Sequence, residues 1–126
     1  MIETDSTIIN ANLSKKLTAA ATYGYDKAIF GYGMGVSYGG SPSNMVYRIN
    51  NVGVFMVGSY TISGVSRYGL AATSYGGDKA IFGYGRQVLR PMFLSTINTV
   101  SNTGDVASDI TGAGTARFNL AASTFG

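Results

Sequence analysis

The side chains with acid–base potential in this chain occur in matched pairs. Asp26-Lys27 and Asp78-Lys79 each set a carboxylate beside an amine, and Arg67 and Arg117 carry guanidinium groups that could clamp a carboxylate or a phosphate. Their duplication argues against catalysis. An active site needs different groups converging on one pocket, whereas identical dipeptides 52 residues apart fall at equivalent turns of separate units. The expected roles are structural: each Asp caps its turn through its own backbone, each Lys stem lies along a sheet, and Arg67 and Arg117 brace the junctions between units, against Asp26 or Asp78. The sequence contains neither His nor Cys. That removes the Ser-His-Asp triad, thiol nucleophiles and the usual zinc ligand sets. Asp105 and Asp109 could meet calcium together with carbonyl oxygens, but their spacing matches no EF-hand loop, and they read as solvated turn residues. Gly31-Tyr32-Gly33-Met34-Gly35 resembles a phosphate loop only superficially, because no helix follows to supply aligned amides. No enzymatic activity, cofactor or metal is expected.

What holds these residues is a repeat. The string DKAIFGYG runs from Asp26 to Gly33 and returns unchanged from Asp78 to Gly85. A related approach precedes each copy, AAATYGY from Ala19 and AATSYGG from Ala71, and a third start, LAASTFG, begins at Leu120. Further on, Asn51, Gly53, Gly64 and Arg67 are answered by Asn102, Gly104, Gly114 and Arg117 once a one-residue gap is allowed. The register defines an amino-terminal arm over 1–16, a first unit over about 17–66, a second over about 67–116 and a partial third over 117–126.

Each unit offers four short segments rich in β-branched, aromatic or small residues. In the second unit they are Leu70–Tyr75, Lys79–Tyr84, Leu94–Ser101 and Val106–Ile110; in the first, Leu17–Tyr23, Lys27–Tyr32, Met45–Asn50 and Val54–Tyr60. With 18 glycines spread along the chain and no apolar pattern of helical period, helix is not expected and the expected fold class is all-β. Alternation places Ala28, Phe30 and Tyr32 on one face of a strand and Ile29, Gly31 and Gly33 on the other. One face supplies bulk and the other accepts it, which suits a sheet packed on both sides. The repeated Phe30, Tyr32, Phe82 and Tyr84 therefore read as framework, together with Asp26, Lys27, Asp78, Lys79, Arg67 and Arg117.

Binding candidates lie where the units differ. After the shared strand, one unit runs MGVSYGGSPSN from Met34 and the other RQVLRPMFLST from Arg86. Arg86, Arg90 and Phe93 combine cation and apolar surface, as interface hot spots do, and Tyr38 in its Gly/Ser loop could stack on a sugar or a base. The arm over 1–16 is expected to dock on a partner or a neighbouring subunit.

Composition narrows the classes further. Apolar residues make up 45% and charged residues 12% of 126, so the chain folds as one domain rather than remaining disordered. The net charge of +3 is scattered rather than clustered, which disfavours a nucleic-acid groove. No apolar stretch approaches the ~18 residues of a membrane helix, and the first residues lack a secretory signal. A soluble protein is expected.

The run RYGLAATSYGGDKAIFGYG, Arg67 to Gly85, resembles a degenerate kelch repeat: an Arg, a small-residue strand, a glycine turn, then an apolar strand ending in glycine. The chain lacks the tryptophan of kelch proper, and its strand ends in Gly-Tyr-Gly. YGGDKAIFGYG followed by VSNTGDVASDITGAGTAR is similar to tandem repeats of phage proteins, especially those of marine and cyanobacterial hosts. The resemblance implies a virion location and a role as decoration protein, appendage or tail-fibre component. It also implies propeller-like blades of antiparallel four-stranded sheets, two blades plus one extra strand. Closure takes about 4–8 blades, so completion by homo-oligomerisation through exposed strand edges is expected, with the segment from Arg117 to Phe125 pairing across a subunit boundary, or else an open β-stack whose edges pair with other virion proteins. The alternative is a lectin-like module that binds a glycan or host receptor.

Overall fold

The computed structural model describes residues 15–35, 41–88 and 92–125. The chain is all-β, with no helix among these residues. A short pair, β1 (Lys15–Lys16) with β4 (Met34–Gly35), accompanies two four-stranded antiparallel sheets. The first sheet is ordered β2 (Ala19–Tyr23), β3 (Lys27–Gly31), β5 (Ser43–Ile49) and β6 (Phe55–Arg67). The second is ordered β7 (Ala71–Tyr75), β8 (Lys79–Arg86), β9 (Phe93–Val100) and β10 (Ile110–Thr111). Each is a meander, the arrangement that needs only hairpin connections between neighbours.

The two sheets are built alike down to single hydrogen bonds. Ala19–Tyr23 pairs with Gly31–Lys27 in the register in which Ala71–Tyr75 pairs with Gly83–Lys79. Lys16 opposite Met34 has its counterpart in Tyr68 opposite Arg86. Every residue described with left-handed backbone has a partner at the same repeat position: Leu17, Gly69 and Asn119; Gly24 and Gly76; Tyr25 and Gly77; Tyr32 and Tyr84; Gly33 and Gly85; Gly53 and Gly104; Gly64 and Gly114. Glycine is expected at such angles. Tyrosine nonetheless occupies 32 and 84, with φ of 65° and 67°, and its ring lies against Phe82 at the one and under Arg117 at the other.

The left-handed residue also corrects the strand pattern. Simple alternation sends Tyr32 to the side of Phe30, but the backbone turn at Tyr32 breaks the pleat. The ring packs instead with Ile29 in the buried cluster. At Tyr84 the same turn makes a bulge, where the β8–β9 register shifts between Gly83 and Gly85.

The sheets pack face to face. Ala19, Tyr23, Ile29, Tyr32 and Val46 of the first meet Leu70, Ala80, Phe82 and Val100 of the second in one core. The chain passes directly from one sheet to the other, since Arg67 at the end of β6 pairs with Ser43 and the next residue, Tyr68, bridges to Arg86. The fourth strand is unequal in the two units. β6 spans 13 residues, whereas the second unit has only β10 and a single bridge from Val106 to Val100. The extra strand expected after Arg117 is absent: residues 112–125 join no ladder and lie along the second sheet instead.

Candidate functional site

Each unit presents two unlike faces, and one of each kind meet inside the chain. One face carries the repeat phenylalanine and the other the repeat glycine. At the junction the phenylalanine face of the second unit sits on the glycine face of the first. Phe82 meets Tyr32 edge-on with ring centroids 5.1 Å apart. A Cβ placed on Gly31 would lie 3.1 Å from the Phe82 ring and 3.2 Å from Val46, so only glycine admits the ring this closely.

Among the described residues the other two faces have no sheet packed on them in this way. In the first unit Phe30, the counterpart of Phe82, is 40% exposed, whereas Phe82 is fully buried. Beside it Tyr47 and Phe55 pack edge-on at 6.3 Å, and these rings with Thr18 and Met45 border an apolar cleft of about 190 Å³. In the second unit the glycine face consists of Ala71, Ile81, Gly83 and Ile97. A Cβ on Gly83 would meet nothing nearer than Ile97 at 3.6 Å, so the phenylalanine slot there is open. Leu120, Ala121 and Ala122 lie across this face and leave a cleft of about 150 Å³.

Arg67 locks the internal junction. It is fully buried and donates from Nε to the Tyr84 carbonyl at 2.7 Å and from Nη1 to the Val65 carbonyl at 3.2 Å, while its guanidinium lies 4.3 Å from the centre of the Tyr32 ring. Its partners are carbonyls and a ring, rather than Asp26 or Asp78. Burial pulls the Arg67 guanidinium below its ordinary value and pushes the Tyr32 hydroxyl above its own; each group partly offsets the shift of the other. Arg117 repeats the arrangement at the surface. It donates to the Thr115 carbonyl, lies 5.8 Å from the Tyr84 ring, and its carbonyl accepts from Gly85 N–H as that of Arg67 accepts from Gly33 N–H.

The paired dipeptides form turn clasps. Asp26 accepts from Lys27 and from Asn51 Nδ2, and Asp78 accepts from Lys79 and from Asn102 Nδ2, all near 3.0 Å. The carboxylate thus ties its own hairpin to the turn between the third and fourth strands. Asp105 accepts from Thr103 and Asp109 from Asn98, so these two carboxylates serve different partners. No group of three potential metal ligands occurs among the described residues.

Of the residues singled out where the units diverge, Arg86 and Phe93 come together. Phe93 stacks on Phe118 with centroids 5.4 Å apart and planes 6° from parallel, and the Arg86 guanidinium lies 5.8 Å and 5.4 Å from the two rings. Arg86 Nε is buried without a hydrogen-bond partner among the described residues. Tyr38 and Arg90 lie outside the described residues.

No protein-family model matches this chain, and no curated protein matches it. Among the described residues no helix is long and apolar enough to cross a membrane. The functional surface must therefore be read from the molecule itself. Sequence reasoning read Phe30 as framework and passed over Tyr47 and Phe55 beside it and Ile81 and Gly83 on the other unit. The signal was present in the repeat: a face used inside the chain by one unit has a counterpart on the other unit that the same junction leaves unused.

Proposed function

We propose that this chain is a non-enzymatic structural protein of a phage particle, a decoration, appendage or fibre component that assembles by adding copies of itself. One observation carries the assembly reading. The two units join through unlike faces, and among the described residues one face of each kind has no second sheet against it, the glycine face of the second unit bearing only the segment from Leu120 to Phe125. Unlike faces give head-to-tail contacts, which close into rings when the rotation per unit allows and otherwise extend as filaments. A ring of two-unit chains is the composite propeller in which each sheet is a blade. The virion setting rests on the similarity of YGGDKAIFGYG and its continuation to phage repeats. Light scattering coupled to size exclusion on the purified chain tests the assembly: a discrete multiple of 13.1 kDa or a filament supports it, and a monomer at all concentrations overturns it.

The stacked pair of exposed Phe93 and half-buried Phe118 with Arg86 favours a second reading, a surface that contacts a host receptor or glycan. Binding on a glycan array that is lost in Phe93→Ala would establish it over a purely structural role.

A further inference from the structure

The geometry points to the way in which copies join: the phenylalanine face of the first unit of one chain docks on the glycine face of the second unit of another, with Phe30 entering the slot over Gly83, and the segment from Leu120 to Phe125 is a cap that the incoming chain displaces. This inference rests on the assembly reading above and assigns its two surfaces.

The occupant is a second copy because the chain already contains the joint. Phe82 of the second unit fills the slot over Gly31 of the first, and Phe30 and Gly83 are the same two residues of the same string, both without that partner among the described residues. The surroundings match as well. The receiving residues Ala19, Ile29 and Val46 at the internal joint correspond to Ala71, Ile81 and Ile97 at the open one. On the incoming side, Phe82 with Val100 and Val106 correspond to Phe30 with Ile49 and Phe55. Burial of two such apolar faces against one another is favourable without any new hydrogen bond.

The cap follows from the third start of the repeat. Leu120-Ala121-Ala122 lies on Ile81, Gly83 and Ile97, and it corresponds to Leu70-Ala71-Ala72, of which Leu70 and Ala72 pack in the internal joint. The resemblance ends there. Residues 112–125 make no strand ladder, and no phenylalanine of theirs fills the slot over Gly83. A second copy brings β2 (Ala19–Tyr23) already paired to β3 with Phe30 beside it, and covers the whole face. The segment and β2 compete for one place, so the segment sets a threshold for assembly.

The test uses three variants of the full chain and light scattering across a concentration series, with circular dichroism to establish folding. Phe30→Asp spoils only the incoming face, and Gly83→Leu fills only the slot, at a strand position with room for a side chain. Each alone is expected to run as a 13.1 kDa monomer, while an equimolar mixture forms a heterodimer and stops there, since each retains one working face. Deletion of residues 120–126 is expected to lower the concentration at which the otherwise unaltered chain assembles by tenfold or more. Assembly of both point variants like the parent overturns the face assignment while leaving the assembly reading intact. A mixture that stays monomeric overturns the head-to-tail joint, and a deletion that leaves the threshold unchanged or raises it overturns the cap. A parent that is monomeric at every concentration overturns the assembly reading itself.

Discussion

Phe30 and Phe82 stand at the same place in the repeat, 52 residues apart, in strands paired in the same register; one is 40% exposed and the other is fully buried. The difference is not local. It arises because only Phe82 has a glycine face, that of Gly31, lying opposite. The same contrast extends to the glycines and the arginines, so the molecule supplies its own controls.

Truncating the two phenylalanines is expected to have unequal effects. Phe82→Ala removes a buried ring and leaves a cavity between the sheets, costing about 3–5 kcal/mol. Phe30→Ala in the monomer is expected to cost under about 1 kcal/mol, because its ring is partly in water already. Urea denaturation of both variants at low concentration measures the difference.

The glycines should respond in opposite directions. In Gly31→Ala the new methyl would stand 3.1 Å from the Phe82 ring and 3.2 Å from Val46, and the resulting overpacking is expected to cost about 1–3 kcal/mol. Gly83→Ala meets only Ile97 at 3.6 Å and removes backbone freedom from the unfolded chain, so a change of zero to about +0.5 kcal/mol in stability is expected. Thermal unfolding of the pair distinguishes the two signs.

Arg67 and Arg117 share a local geometry and differ in burial. Arg67→Met leaves the Tyr84 carbonyl without its donor inside the joint and is expected to cost about 3 kcal/mol. Arg117→Met, at the surface, should stay within about 0.5 kcal/mol of the parent. A chemical denaturation midpoint for each variant is the check.

Acid should weaken the turn clasps. The hydrogen bond from Lys27, then that from Asn51, holds the Asp26 carboxyl below its ordinary 3.8; for Asp78 the bond from Asn102 comes first and that from Lys79 second. Folded values below the unfolded ones mean that this stabilisation is complete above about pH 4 and is lost as pH falls through the depressed values. The stability gap between the parent and Asn102→Ala is therefore expected at neutral pH and should close progressively below about pH 4. Urea midpoints measured across that range would contradict the clasp if the gap were constant.

Much of this architecture is legible before any coordinates. The unchanged string DKAIFGYG, its 52-residue register and the glycine punctuation determine an all-β chain of two four-stranded units, because strand period and turn chemistry are local properties of the residues. The match of glycine and bulk on opposite strand faces likewise anticipates sheets stacked closely together. Tyr32 escaped, since its left-handed backbone turns the ring to the other face and nothing in the alternation announces a tyrosine at φ 65°. The weak fourth strand near Ile110 and the unpaired segment after Arg117 escaped as well, because ladder formation depends on what lies alongside. Which phenylalanine is covered and which open, and whether an arginine is buried among carbonyls or left at the surface, was decided only in three dimensions. Identical residues in identical strands differ solely by which sheet stacks against them, and that is a long-range property which no window of sequence contains.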